Sequence, residues 1–389
     1  MPSPELQILI EAIRVVLLKA PQDKLLHLLN SPKIDWKRLE KMVVYHQIRP
    51  VVYEALRQVN FFNDFTENLA QYSKKQAVNN MVYCQEATRI LSIFRSQNIP
   101  VLPYKGLLFL EKFYQNKPLR EFLDFDIVVK PTDAVNALKI LLNEGYELCT
   151  ATTATDDALN HLIVTVPDRE VALNKTTKLG LAVQIDFHWG ISEVSHQQTI
   201  QLEELFDSAI ISNFQGEQLL IPSNDSIFKM LLKHHGGRDC WLRLKNSCDL
   251  VAFLQSNPEM NILHLKQLAK ETKLSNILTC GIGIAETYFY ENAKNKVANP
   301  KVINQIVERW ESATYWNTPS SKLKFNAIYR SLQDEMTSWQ SYLMARIRYY
   351  AIVNPYEQKR LVVFDNQYVL LNASSKLVSY LWYRFTGAK

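Results

Sequence analysis

The sequence contains no Cys-x-x-Cys pair; its five cysteines, Cys84, Cys149, Cys240, Cys248 and Cys280, are scattered through 389 residues. That pattern excludes a cysteine-rich disulfide framework and the common structural zinc sites, and a reducing, cytoplasmic setting is expected. No apolar run approaches the roughly eighteen uninterrupted residues that a membrane span requires. The apolar stripes at the start carry Glu5, Glu11 and Arg14, which the core of a signal peptide would exclude. There is no internal repeat and no low-complexity tract. Charge of one sign is also scarce: the net charge of +5 says little about nucleic acid, because electrostatic binding depends on clustering more than on totals. What is present, 47% hydrophobic and 21% charged residues, describes a globular chain with room for two or three packed units.

Residues 3 to 98 read as successive helices. Leu6, Ile10, Ile13 and Leu17 recur at three and four residues, the same spacing runs through Trp36 to Val59 and Phe65 to Gln97, and Pro21, Pro32 and Pro50 punctuate it. The period then changes. Pro100 introduces a short Val-Leu-Pro-Tyr strand, Gly106 starts a helix to about Gln115, and a strand follows at Leu123 to Val129. Pro131 and Thr132 open another helix that Gly145 ends. Two more β-rich runs are expected at His161 to Val166 and Leu181 to His188, separated by a polar stretch, and residues 202 to 222 read as a short helix, a strand and a Gly216 turn closing the sheet. Beyond Pro222 helices return. The expected division is a helical region over 1–98, a core over 99–222 with a mixed β-sheet and helices on one side, and a helical region over 223–389, an α+β architecture.

The chemistry concentrates in two strand-like segments. In Leu-Asp-Phe-Asp-Ile-Val-Val, from Leu123 to Val129, period-two alternation puts Asp124 and Asp126 on one face and Phe125 and Ile127 on the other. Two carboxylates side by side are costly without a compensating cation, so a divalent ion is the natural occupant. The alternative, a surface strand with two solvated acids, fits poorly with the apolar residues around them. Asp186 has the same character in Val183 to His188 and becomes a third ligand if its strand pairs beside the first. Oxygen-only ligands favour Mg²⁺ or Mn²⁺ over zinc.

Lys105-Gly106 opening a helix, Arg120, Asp124-x-Asp126, Gly145-Tyr146 and Asp186-x-His188-Trp189 resemble, in order and spacing, the uncharacterised nucleotidyltransferase family within the DNA-polymerase-β-like superfamily. The resemblance covers roughly residues 40 to 260 and is far more specific than a bare Asp-x-Asp. A histidine near His234-His235, with Trp241 to Leu244 and Asp249, continues the pattern. The superfamily carries Gly-Ser or Gly-Gly ahead of its paired acids at a shorter gap; Lys105-Gly106 stands there in this chain. The resemblance implies Mg²⁺-dependent transfer of a nucleoside monophosphate from an NTP, such as ATP, to an acceptor with release of pyrophosphate. Asp124 and Asp126 would hold two ions, and Asp186 would complete the acceptor-side site, with Glu193 or Asp168 as substitutes for it. Lys105 would contact the β- or γ-phosphate beside backbone N–H groups at Gly106, or be an ordinary strand-end lysine. Arg120 would clamp phosphate or brace an acid. His188 would orient a ligand, contact substrate or play a structural part. Neither Lys105 nor Arg120 is expected in the core, and His234 and His235 show no metal-ligand spacing with any cysteine or acid.

From Gln340 onward seven Lys and Arg face two Asp and Glu, a surplus of five, interleaved with aromatics. A packed helix and hairpin with solvated charges is expected there; a grip on single-stranded nucleic acid is the alternative. A nucleotide-binding or protein-interaction module that has lost the chemistry is the second functional expectation. A sugar transferase with its own Asp-x-Asp would need a doubly wound sheet ahead of the motif, where helices stand instead. The acceptor, whether small molecule, protein hydroxyl or RNA end, is not encoded in any feature of the sequence.

Overall fold

The computed structural model describes residues 2–114, 118–150, 155–165, 170–177, 180–191, 200–290, 299–313, 319–334, 339–351, 362, 364 and 368–386. The chain forms two compact units, each assembled from separated segments: one from 1–84, 105–122 and 224–334, the other from 85–104, 123–223 and 335–389.

The first unit is helical. Its early helices, Pro4–Leu17, Asp23–Leu29, Trp36–His46 and Arg49–Gln58, stop and start where local chemistry dictates. Ser3 and Asp35 accept the backbone N–H of Leu6 and Arg38 at 3.2 and 3.0 Å, satisfying otherwise orphaned donors at the first and third of these helices. The Gly106–Tyr114 helix packs on the Leu244–Ser256 helix, with Phe109, Phe113, Phe228 and Phe253 buried. Between the Asn224–Leu231 helix and residue 239 the backbone widens into a π-helix, Leu232–Arg238. Gly236 in that turn lies so close to the Ser275–Tyr288 helix that an added Cβ would fall 2.1 Å from Ile277 Cγ2 and 2.8 Å from Trp241 Nε1. The Trp241 indole, fully buried, is also pressed against Gly281 and donates to the Ile277 carbonyl at 3.2 Å.

The second unit is built on a five-stranded mixed sheet. Its strands are β1 (Val101–Tyr104), β2 (Phe125–Val129), β3 (Glu147–Leu148), β4 (Glu170–Thr176) and β5 (Ala182–His188), in the spatial order β1-β2-β5-β4-β3. β2 and β5 run parallel; every other pair is antiparallel. Pro103 sits in β1, an edge strand, which spares the sheet a missing donor in its interior. Phe125, Ile127, Val129, Val171, Leu173, Val183, Ile185 and Phe187 alternate onto one face and are all buried. The Ala134–Asn143 helix contributes Ala134, Ala137, Leu138 and Leu141 to the buried interior, and Trp189 Nε1 donates to the Ile163 carbonyl at 2.9 Å, tying the end of β5 to the Asp156–Thr165 helix. The α+β architecture with a mixed sheet and flanking helices is therefore as expected.

Three local expectations are corrected. His161 to Val166 is not a strand: the described part belongs to the Asp156–Thr165 helix, which opens with Asp156 and Asp157, buries Leu159 and Leu162 at helical spacing and leaves Val164 78% exposed. The stretch taken as merely polar contains β4, where Val171 and Leu173 point inward, with Ala172 between them and Glu170 and Asn174 on either side. Residues 210 to 221 do not add a strand to the main sheet but pair with each other, β6 (Ile210–Phe214) with β7 (Glu217–Ile221). Their two-residue turn places both Gln215 (φ 54°) and Gly216 (φ 89°) in the left-handed region, which matches a type I′ hairpin and binds the two strands to one another. Gln115, the expected helix end, and Asp168 and Glu193 lie outside the described residues.

Candidate functional site

The face of the sheet opposite the apolar one is polar. Asp126 on β2 pairs in parallel register with Asp186 on β5, and on its other side it stands across from Tyr104 on β1. Side chains of register partners point to the same face, so the two carboxylates are neighbours. Asp124 comes two residues before Asp126, one residue ahead of the strand proper, and is half-buried; Asp126 is 3% exposed. Two positions along β5 from Asp186 is His188, also buried, whose Nε2 lies 3.1 Å from Asp126 Oδ1 and whose Nδ1 lies 3.2 Å from Glu170 Oε2. The Tyr104 ring meets the imidazole edge-on, centroids 5.3 Å apart. Gln184 Nε2 donates to Asp186 Oδ1 at 2.8 Å. The polar face thus carries two carboxylates in register, each oriented by a neighbour. Glu170 and Gln184 are members that the sequence did not single out; for Glu170 the available signal was the alternation through β4.

Lys105, Gly106 and Arg120 belong to the first unit. Lys105 adopts a left-handed backbone (φ 50°), uncommon without glycine, and its carbonyl accepts the N–H of Phe109 at 3.0 Å as the helix begins. Both basic residues are buried, Lys105 8% and Arg120 5% exposed, which corrects the expectation that they stand outside the core. The Arg120 guanidinium braces an acid: Nε lies 3.1 Å from each oxygen of Asp249, Nη2 lies 3.1 Å from Oδ2, and Nη1 donates to the Gly106 carbonyl at 3.1 Å. A guanidinium fork suits such bidentate pairing, and Lys could not reproduce it.

Asp249 is fully buried and has two further partners, Tyr114 Oη at 2.8 Å and His235 Nε2 at 2.8 Å. Burial alone would raise its pKa, but the Arg120 charge and the His235 hydrogen bond outweigh it and hold the carboxyl well below the usual range. The same burial, with Asp249 beside it, pushes the Tyr114 hydroxyl far above its ordinary value. Asn246 Nδ2 donates to Asp239 Oδ2 at 2.8 Å and lies 3.2 Å from His235 Nδ1. His234, His235 and Asp239 place their ligand-capable atoms within 4.8 Å of one another, a grouping that the sequence spacing did not suggest.

The tail contributes two helices packed on each other, Trp339–Ala351 and Val369–Thr386. Lys359, Arg360 and Lys389, and the side chains of Arg346, Arg348 and Arg384, lie outside the described residues. Among the described residues no helix is long and apolar enough to cross a membrane.

A family model described as an uncharacterised nucleotidyltransferase matches residues 32–290. No curated protein matches the chain.

Proposed function

The chain belongs to the uncharacterised nucleotidyltransferase family, and on that premise we propose that it transfers a nucleoside monophosphate from an NTP to an acceptor hydroxyl, releasing pyrophosphate. The observation that carries the reading is the register of Asp126 against Asp186 on adjacent strands. Two neighbouring carboxylates in a sheet whose other face is apolar repel each other and lower the stability of the fold unless a cation compensates. The donor set is oxygen only, which fits Mg²⁺ or Mn²⁺. Asp124, Asp126 and Asp186 would hold the ion or ions; bound there, they supply neutralisation of the triphosphate and polarisation of the acceptor hydroxyl.

The chain's own residues then have positioning roles. His188 holds Asp126 in one orientation and is itself held by Glu170 and the edge of Tyr104. Gln184 fixes Asp186, which would accept the proton that the acceptor hydroxyl loses as its oxygen bonds to the α-phosphorus and the bond to pyrophosphate breaks. Arg120 acts through Gly106, whose carbonyl it holds, while its charge is spent on Asp249.

The test is incubation of the pure full-length protein with each α-³²P-labelled NTP and Mg²⁺, alone and with cell lysate, followed by location of the label. Transfer that Asp126→Asn and Asp186→Asn both abolish supports the enzyme. Mg²⁺-dependent NTP binding without transfer to any acceptor would support the binding module instead.

A further inference from the structure

Among the described residues, the metal-capable side chains whose ligand atoms all lie within 4.8 Å of one another are not the sheet carboxylates but His234, His235 and Asp239. The π-helix is the reason. On an α-helix, residues five apart are about 140° apart around the axis. Here the N–H of Asp239 bonds to the carbonyl of His234 at 3.0 Å, the five-residue step of a π-turn, and the two side chains are stacked on one side. Asp239 Oδ2 lies 3.6 Å from His234 Nδ1 and 3.9 Å from His235 Nδ1. Ligands about 2.0–2.2 Å from a four-coordinate ion are about 3.4 Å from each other, so these two gaps need to close by only a few tenths of an ångström, and the two imidazoles start within 4.8 Å of each other.

The surroundings are those of a ligand set. His235 turns Nε2 to the Asp249 carboxylate at 2.8 Å, the backing that orients metal-bound imidazoles, and thereby turns Nδ1 toward Asp239. Asp249 is anchored in turn by Arg120 and Tyr114. His234 Nδ1 is buried and makes no hydrogen bond, which costs free energy in the absence of a partner. The Lys105 charge opposes a cation; Asp239, 3.6 Å from the same nitrogen, attracts one.

We propose that His234, His235 and Asp239 form a second metal site, selective for a borderline divalent transition ion of the Zn²⁺ class and built of residues other than the sheet carboxylates. Two imidazoles and one carboxylate favour such an ion over Mg²⁺, which prefers oxygen alone. In its absence Asn246 bridges Asp239 and His235, so the site is preorganised. Through His235, Asp249 and Arg120 the ion is linked to the carbonyl of Gly106, and it would brace the start of that helix.

The experiment uses the full chain purified without a histidine tag, stripped with EDTA, exchanged out of the chelator and titrated with Zn²⁺ in excess Mg²⁺, with bound metal counted by mass spectrometry. One Zn²⁺ per chain, insensitive to Mg²⁺, is expected. His234→Ala and Asp239→Asn should each weaken it at least tenfold, while Asp186→Asn leaves it intact; melting in EDTA establishes that each variant is folded. Co²⁺ on the parent should give visible absorption of a low-coordinate N/O site that Zn²⁺ bleaches. No stoichiometric Zn²⁺, equal binding by both folded variants, or no Co²⁺ spectrum displaced by Zn²⁺ would overturn the proposal.

Discussion

Asp126 and Asp186 are sixty residues apart in sequence and direct neighbours across two parallel strands. If they hold a metal as proposed, like charges so placed would destabilise the metal-free protein, and a cation that binds only the native state would offset this. Mg²⁺ or Mn²⁺ should therefore raise the melting temperature of the parent. Asp186→Asn should be as stable as the parent in EDTA, or more so, and should lose most of the metal-induced rise along with transfer activity. Scanning both proteins with and without Mg²⁺ checks this; an undiminished rise in the variant would remove Asp186 from the metal site.

Arg120→Ala should be severely destabilising. It leaves the buried Asp249 without the cation that holds its pKa down, and breaking a buried pair by deleting one partner costs roughly 3–5 kcal/mol. Urea denaturation measures the loss. A cost below about 1 kcal/mol, the scale of an exposed ion pair, would show that the buried network carries little stability.

His46 predicts an acid limit to stability. Its Nε2 faces the Trp310 carbonyl at 3.1 Å and its Nδ1 accepts the Leu244 N–H at 3.1 Å, so the buried ring is neutral, with its pKa lowered chiefly by burial to about 3. Between the ordinary histidine value and about 3 the unfolded chain binds a proton that the folded chain refuses. This contribution is complete above about pH 6.5 and declines by about 1.4 kcal/mol per pH unit as pH falls toward the folded value. Denaturation at pH 7.5, 6 and 5 should show a steeper decline in the parent than in His46→Gln, which keeps a donor and an acceptor without titrating; identical slopes would contradict the assignment.

Gly236→Ala should destabilise by about 1–3 kcal/mol or more, since the new methyl meets Ile277 and the Trp241 indole in a space without slack. Thermal unfolding of this variant alone and with Ile277→Ala checks the cause: relief by the second change identifies the clash, and simple additivity points elsewhere.

How much of this the sequence reveals depends on how far each signal reaches along the chain. β2 and β5 declare themselves because an acid within a β-prone apolar run is a local anomaly, and Asp126 and Asp186 stand together as that anomaly suggests. The edge strand with Pro103 and the helix starting at Gly106 are equally local. His161 to Val166 misleads because β-branched residues mask a helical burial pattern that begins upstream at Asp156. Arg120 looks solvent-facing because its partner, Asp249, is 129 residues away. His234 and Asp239 fail to look paired because five-residue spacing separates side chains on the common helix and joins them only on a π-turn, here the one in which Gly236 lies against Ile277 and Trp241.

The strand order also sets a timetable for assembly. β4 and β5 are joined by a short connection and can zip early, whereas β2 must find β5 across a span of sixty residues. By the logarithmic cost of closing a loop, the distant pairing is entropically dearer by about 2 kcal/mol than the adjacent one, and such non-local pairings slow folding. The hairpin is thus expected to form first and to dock onto β2 afterwards, so that the carboxylate row comes into being at the docking step. A nascent chain still short of Asp186 already holds Asp124 and Asp126 but lacks their companion, so on the proposed reading an ion would be bound only once the sheet has closed.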